Sequence, residues 1–110
     1  MKIVNITKGT IVARGYTRAD TLVDKSIGLL GASAPKSLYF KTRFGIHTVG
    51  MQFPIDCAVL DEAMVVRAVR HNLTPGNFFF WNPLFRHVIE LPSGALQSAE
   101  TAVGDALAFA

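Results

Sequence analysis

The stretch that decides the fold is GIHTVGMQFPIDCAVL, residues 45–60, which combines a long apolar run with a few isolated polar residues. We interpret it as an extended segment that ends at a turn, Asp61-Glu62-Ala63, before the next extended segment, MVVRAVRH. His47, Thr48 and Asp56 lie inside this stretch. They indicate either a chemical site or a buried strand whose few polar groups are satisfied by hydrogen bonds.

Strand alternation divides this stretch into two rows of side chains if the chain stays extended from 47 to 59. One row is apolar and the other is mixed: the first holds His47, Val49, Met51, Phe53, Ile55, Cys57 and Val59, and the second holds Thr48, Gly50, Gln52, Pro54, Asp56, Ala58 and Leu60. His47 and Thr48 can then line one pocket only if the strand bulges. Gly50 and Pro54 are residue types that permit a bulge or an edge position.

The remainder of the chain is a series of short extended segments separated by turns. KIVNITKGTIVARG, residues 2–15, predicts a hairpin around Lys8-Gly9, and LTPGN, residues 73–77, is typical of a turn. SLYF, FRHVIEL and ALAFA are further strand candidates. About seven short strands at this spacing predict a mainly β fold, either a β-sandwich or a small barrel-like structure.

One segment, TRADTLVDKSIGLLG at residues 17–31, has helical rather than strand periodicity. Its apolar residues recur at helical spacing: Ala19, Leu22, Val23, Ile27 and Leu30. Thr17 with Asp20 resembles a capping box, and Gly31 suits a helix end. We therefore expect one α-helix packed on the β structure.

Composition limits the class of protein. The 110 residues predict a single domain, 1–110. The net charge of +3 without a block of like charges permits anionic partners but does not favour nucleic acid. A single cysteine, Cys57, excludes an internal disulfide, and no signal-peptide core or membrane-length apolar run is visible. We expect a cytoplasmic protein without membrane contact.

The aromatic run NFFFWNP, residues 77–83, is a second candidate for function. Strand alternation predicts Phe78 and Phe80 on one face and Phe79 and Trp81 on the other. The rings either cap the core or form a contact surface for a ligand or partner.

Candidate site residues are the polar and aromatic residues of these stretches. We predict binding roles for His47, Thr48, Met51, Asp56, Trp81 and Glu90. Asp56 and Glu90 are flanked by apolar residues, so burial with structural hydrogen bonds is an equally open interpretation. His47, His71 and His87 lack metal-site spacing, and a strand cysteine such as Cys57 is typically inert. We predict no metal, no cofactor and no catalytic residue.

The order of motifs resembles the DUF192 family, whose members are uncharacterised. The motifs are KSIGLLG, IHTVGMQFPIDCAVLD, VVRAV, LTPG, HVIELPSGAL and VGDAL, which span about residues 10–108. The matching residues are Gly28, Leu29, Leu30, His47, Thr48, Met51, Phe53, Pro54, Ile55, Asp56, Glu90, Leu91, Pro92, Gly94, Gly104 and Asp105. Lys25 stands where the family usually has arginine, Gly31-Ala32 lacks a basic residue, and Asp61-Glu62-Ala63 lacks the turn glycine. The resemblance implies a compact β-rich fold with a packed helix and implies no activity.

Three functions fit these observations. The first is a binding or accessory module with a pocket near the His47–Asp56 strand, which holds an unknown small molecule or a protein partner. The second is a small enzyme in which Asp56 or Glu90 tunes His47 as an acid–base pair and Thr48 positions the substrate. The third is a purely structural or interaction domain. A monomer and a homodimer are both compatible with the sequence.

Overall fold

The computed structural model describes residues 1–19, 36–43 and 45–110, and this part of the chain is mainly β. It contains ten strands in three sheets and one short helix, which confirms the predicted fold class with more strands than the seven expected. The elements are β1 (Ile3–Asn5), β2 (Thr10–Ala13), β3 (Thr17–Ala19), β4 (Leu38–Lys41), β5 (Gly45–His47), β6 (Ile55–Leu60), β7 (Val66–Leu73), β8 (Phe78–Phe80), β9 (His87–Pro92), α1 (Ala95–Ser98) and β10 (Leu107–Phe109).

The central layer is a five-stranded sheet in the order β3-β4-β9-β6-β7. The β3–β4 pair is parallel and the other pairs are antiparallel. β6 lies inside this sheet, and all six of its residues are buried. An apolar run such as IDCAVL suits this position because a strand covered on both faces does not need polar alternation.

Two apolar cores cover the two faces of this sheet. Ala58 and Leu60 of β6 point into the first core, together with residues of α1 and of a three-stranded sheet in the order β10-β1-β2. Cys57 and Val59 point into the second core, where Phe79 of the two-stranded β5–β8 ribbon covers them. The described residues therefore form three β layers, with α1 beside the first core.

The chain ends are joined by the three-stranded sheet and a buried polar cluster. β1 and β2 form the predicted hairpin, and Gly9 in its turn has φ +71°. The Asn5 Nδ2 amide donates to Thr101 Oγ1 and to Asp105 Oδ2, both at 3.0 Å. The hydrogen bonds from Asn5 and then Lys8 lower the pKa of Asp105 to about 2. Asp105 therefore holds the first hairpin against the C-terminal loop as a carboxylate.

The prediction of an extended chain from 47 to 59 is wrong. β5 ends at His47, and the chain turns before β6 begins at Ile55. Thr48 fixes this turn, because its carbonyl accepts from Met51 N at 3.1 Å and from Gly76 N at 3.0 Å. Gly50 has φ +87°, a conformation that favours glycine. The alternation rule therefore fails across residues 48–54.

The predicted helix at 17–31 lies largely outside the described residues, which omit 20–35. Thr17–Ala19 form β3, paired in parallel with β4. A helix start at Thr17 is therefore wrong.

Candidate functional site

A pocket of about 420 Å³ opens where the edge strand β10 approaches the β3–β4 side of the five-stranded sheet. The turn between β6 and β7 forms a third wall. The described lining residues combine aromatic rings, aliphatic side chains and one cation: Tyr16, Arg18, Tyr39, Ala63, Met64, Leu107, Ala108 and Phe109. Small-molecule pockets typically enclose about 300–1,000 Å³, so this pocket has the size of a small-ligand site.

Aromatic rings form one wall of the pocket. The ring centroids of Tyr39 and Phe109 lie 4.8 Å apart, and those of Tyr16 and Phe109 lie 5.2 Å apart, both in edge-to-face geometry. Tyr39 reaches this side because its β4 neighbours Leu38 and Phe40 point into the second core. The rings of Tyr16, Tyr39 and Phe109 therefore form an apolar wall of the pocket through edge-to-face contacts.

Arg18 places a positive charge on this aromatic wall. β3 and β4 pair in register, so that Arg18 is the partner of Tyr39 across the sheet. The Arg18 Cζ atom lies 5.5 Å from the Tyr39 ring centroid, within the range of about 6 Å for a cation–π contact. The strand pairing therefore places Arg18 beside the ring of Tyr39.

A chain of hydrogen bonds runs from Tyr39 to the β6–β7 turn. The Tyr39 hydroxyl lies 2.7 Å from His87 Nδ1, and His87 Nε2 lies 3.1 Å from Glu62 Oε2. Arg86 donates to the other Glu62 oxygen from Nε at 3.1 Å and from Nη2 at 2.7 Å. His87 is only 4% exposed, whereas the Glu62 side chain is 61% exposed. A buried imidazole thus connects a pocket phenol to a surface carboxylate.

The charge of Glu62 fixes the hydrogen atoms in this chain. Hydrogen bonds from Arg86 and then from His87 lower the pKa of Glu62 to about 2, so near neutral pH this residue is an acceptor. The shared hydrogen therefore belongs to His87 Nε2. In a neutral imidazole the other nitrogen, Nδ1, is then an acceptor, and the Tyr39 hydroxyl donates to it.

Asp56, a predicted binding residue, is fully buried and bonded to three backbone N–H groups. Its Oδ1 accepts from Asn72 N at 2.9 Å, and its Oδ2 accepts from Gly94 N and Leu96 N, both at 3.0 Å. Asn72 and Gly94 have φ +52° and φ +93°. The carboxylate of β6 therefore holds the end of β7 and the start of α1.

Thr48 and Met51, two further predicted binding residues, lie inside the protein. The Thr48 hydroxyl donates to the Thr74 carbonyl at 2.7 Å and accepts from Asn77 N at 2.9 Å. Met51 is 7% exposed and packs in the second core. These contacts join the turn after β5 to the turn between β7 and β8.

His47 and Trp81 lie at the β5–β8 ribbon. His47 is exposed, and its ring centroid is 6.2 Å from that of Phe78. Phe78 and Phe80 are exposed and stacked 6.0 Å apart. Phe79 is buried, and Trp81 packs against it at 5.2 Å. The predicted division of the aromatic run between two faces is confirmed.

Glu90, the last predicted binding residue, is 6% exposed. It lies between Leu38 of β4 and Cys57 of β6 in the sheet register. Burial raises the pKa of the Glu90 carboxyl to about 7. Burial also raises the pKa of the Cys57 thiol, and the nearby charges of Glu90 and Asp56 raise it further. No hydrogen bond joins the Glu90 side chain to another of the described residues.

The described contacts do not join His47 to either predicted carboxylate partner. The histidine–carboxylate pair of the described residues is His87 with Glu62. No local spacing reveals it, since Glu62 precedes His87 by 25 positions and Tyr39 precedes it by 48. The sequence indicates only one member of this pair, His87, because it alternates with apolar residues along a strand.

Neither a metal-ligand cluster nor a membrane-length apolar helix occurs among the described residues. No group of three or more His, Cys, Asp or Glu side chains there could hold a metal ion. No helix in this part of the chain is long and apolar enough to cross a membrane.

These features define a small layered β domain with an aromatic, cationic pocket between its sheets. The DUF192 family model, described as "Uncharacterized ACR, COG1430", matches residues 4–109. The chain therefore belongs to the DUF192 family. No curated protein matches it.

Two crystal structures are similar to this chain. One is a Sinorhizobium meliloti 1021 protein described as a "putative transcription regulator", with a TM-score of 0.81 and 17% identity over 97% of this chain and 89% of that one. The other is a Novosphingobium aromaticivorans DSM 12444 protein of unknown function, with a TM-score of 0.84 and 15% identity over 99% of this chain and 84% of that one. At these identities the similarity shows the fold alone.

Proposed function

We propose that the protein is a small-molecule-binding domain and that its ligand occupies the pocket between β10 and the β3–β4 pair. The observation that carries this proposal is the Arg18 guanidinium, whose Cζ atom lies 5.5 Å from the Tyr39 ring centroid on the wall of a pocket of about 420 Å³. Ligand sites are typically apolar with a few fixed polar groups, and this pocket has that composition.

The lining supports a ligand with two parts. A flat apolar body fits against Tyr16, Tyr39 and Phe109, because aromatic rings favour stacked and edge contacts. An anionic group fits beside Arg18, whose planar guanidinium recognises carboxylate and phosphate oxygens. Met64 and Leu107 add apolar contact area on the other sides. The ligand class is therefore a small aromatic or apolar carboxylate or phosphate.

This pocket differs in position from the one expected beside the His47–Asp56 strand. Its third wall is the turn that follows β6, and the residues predicted to bind are not among its described lining residues. The backbone contacts of Asp56 and Thr48 support a structural role for that strand. Binding by His47, Trp81 or Glu90 stays a prediction.

The proposal is tested with a matched pair of probes, 2-naphthoate and its neutral analogue 2-naphthamide, titrated into the isotope-labelled protein and followed by NMR. We expect 2-naphthoate to shift the signals of Leu107, Ala108 and Phe109. In Arg18→Met, the affinity for 2-naphthoate falls about tenfold, because a hydrogen bond to a charged group contributes about 1.5–3 kcal/mol. The affinity for 2-naphthamide changes little.

Arg43→Met is the matched control, since Arg43 is an exposed arginine that does not line the pocket. On this proposal, Arg43→Met leaves the affinities for 2-naphthoate and for 2-naphthamide unchanged. Equal affinities for the two probes, or equal losses in Arg18→Met and Arg43→Met, contradict an anion site at Arg18. Signal changes confined to the β5–β8 ribbon contradict the pocket itself.

A further inference from the structure

The hydrogen-bonded chain beneath the pocket resembles the arrangement that activates hydroxyl nucleophiles. In such sites an imidazole accepts the proton of a hydroxyl, while a carboxylate on its other nitrogen fixes the tautomer and stabilises the imidazolium that forms. Here the Tyr39 hydroxyl, His87 and Glu62 follow one another at 2.7 Å and 3.1 Å. The hydroxyl belongs to a residue of the pocket wall.

We propose that Tyr39 is an activated phenol that exchanges a proton with the bound ligand, with His87 as its proton acceptor and Glu62 as the residue that orients His87. This inference rests on the proposed function, because it needs a ligand in the pocket. It restricts the ligand class to anions that also carry a proton-labile group, such as a hydroxyl or an enolisable carbonyl.

The proton balance of the step is simple. As the ligand gives a proton to the Tyr39 oxygen, the phenolic proton passes to His87 Nδ1. The ligand is then one proton poorer, Tyr39 is again a neutral phenol, and His87 is an imidazolium beside the Glu62 carboxylate. Arg18 lies on the same wall and stabilises the negative charge left on the ligand. In the reverse direction, the same residues return the proton to the ligand.

The second tyrosine of the chain provides an internal control. Tyr16 and Tyr39 are the two tyrosines of the sequence, and both line the pocket. Of these two tyrosines, only Tyr39 has a described hydrogen bond to His87. A reagent in the pocket therefore contacts two tyrosines, the partly exposed Tyr16 and the more buried Tyr39, which is 5% exposed, and the described base lies beside Tyr39.

The test uses an aryl sulfonyl fluoride, benzenesulfonyl fluoride, with the free protein and peptide mass spectrometry. The phenol oxygen attacks sulfur, an O–S bond forms, the S–F bond breaks, fluoride leaves and the proton passes to His87. We expect Tyr39 to react at least about tenfold faster than Tyr16. In His87→Gln, Tyr39 labelling falls about 100-fold, the lower range of a positioned general base, and Tyr16 labelling is unchanged.

Glu62→Gln provides a second variant that does not depend on a buried substitution, since Glu62 is 61% exposed. We expect it to slow Tyr39 labelling about tenfold while the circular-dichroism melt stays that of the wild type. Equal labelling of the two tyrosines in the wild type overturns the inference, and so does a Tyr39 rate that Glu62→Gln leaves unchanged. The labelling needs no bound ligand, so its failure is distinct from failure of the 2-naphthoate titration.

Discussion

Glu90 is a buried carboxyl whose ionisation opposes folding. It is 6% exposed and lies between Leu38 and Cys57 on the side of the sheet that faces the second core. Burial raises its pKa from 4.5 to about 7. The folded protein therefore keeps this proton up to about pH 7, whereas the unfolded chain releases it near pH 4.5. Replacing the carboxyl by the neutral amide in Glu90→Gln removes this difference.

The sign and size of the effect follow from proton linkage. Between pH 4.5 and about 7 the folded state binds more protons than the unfolded state, so the free energy of unfolding falls as pH rises. The contribution of this proton difference to the free energy of unfolding is fully present below pH 4.5 and is lost by about pH 7. At about 1.4 kcal/mol per pH unit, the loss over this window amounts to about 3 kcal/mol. Glu90→Gln lacks this loss.

Urea unfolding at pH 4.5, 5.5, 6.5 and 7.5, followed by circular dichroism, measures the effect. The difference in unfolding free energy between Glu90→Gln and the wild type is expected to move by about 3 kcal/mol in favour of the variant across this range. Glu100→Gln is the control, because Glu100 is an exposed carboxylate, and its difference from the wild type stays flat. A flat difference for Glu90→Gln as well refutes the reasoning.

Three further substitutions test the rest of the structure by thermal and urea unfolding. Asp56→Ala is expected to lower the free energy of unfolding by about 3 kcal/mol, because three backbone N–H groups, that of Leu96 buried and those of Asn72 and Gly94 partly buried, lose their acceptor; a loss below about 1 kcal/mol contradicts this role. His47→Gln is expected to change it by less than about 0.5 kcal/mol, since His47 is exposed, and a loss as large as that of Asp56→Ala argues against this placement. Gly45→Ala places a Cβ 2.5 Å from the Phe79 carbonyl oxygen and costs about 1–3 kcal/mol, whereas Gly15→Ala, with its nearest contact at 4.0 Å, is expected to be neutral; equal effects contradict the close β5–β8 approach.

Local sequence patterns predicted those turns of the fold whose conformation depends on residues within the turn itself. Gly9 marks the first hairpin turn with φ +71°, and Gly76 marks the turn between β7 and β8 with φ +83°. Asp61 accepts from Ala63 N at 2.9 Å in the turn expected after β6. In each case a residue with a special backbone preference lies within the turn that it determines.

The turn between β5 and β6 escaped prediction because its determinants lie elsewhere in the chain. Thr48 bonds to Thr74 and Asn77, which follow it by 26 and 29 positions. Gly50, with φ +87°, is a local signal for this turn, but a glycine within an apolar run equally suits a bulge in an extended strand. Phe79 of the β5–β8 ribbon packs in the second core, and the chain turns between this ribbon and β6.

The candidate site depends on pairing between distant strands in the same way. His87 lies in FRHVIEL, one of the strand candidates, but its partners come from β4 and from the β6–β7 turn. Arg18 belongs to a segment whose pattern predicted the start of a helix, and it became a pocket residue because Thr17–Ala19 pair in parallel with β4. Sequence periodicity does not specify which strands become neighbours, and that choice creates the pocket.

The most direct test of the proposed function is a crystal of this protein soaked with 2-naphthoate. We expect the naphthalene rings to lie against Tyr39 and Phe109, with the carboxylate within hydrogen-bonding distance of the Arg18 guanidinium. Binding only at the exposed Phe78 and Phe80 rings, with the pocket empty at saturating probe, contradicts a ligand site between β10 and the β3–β4 pair.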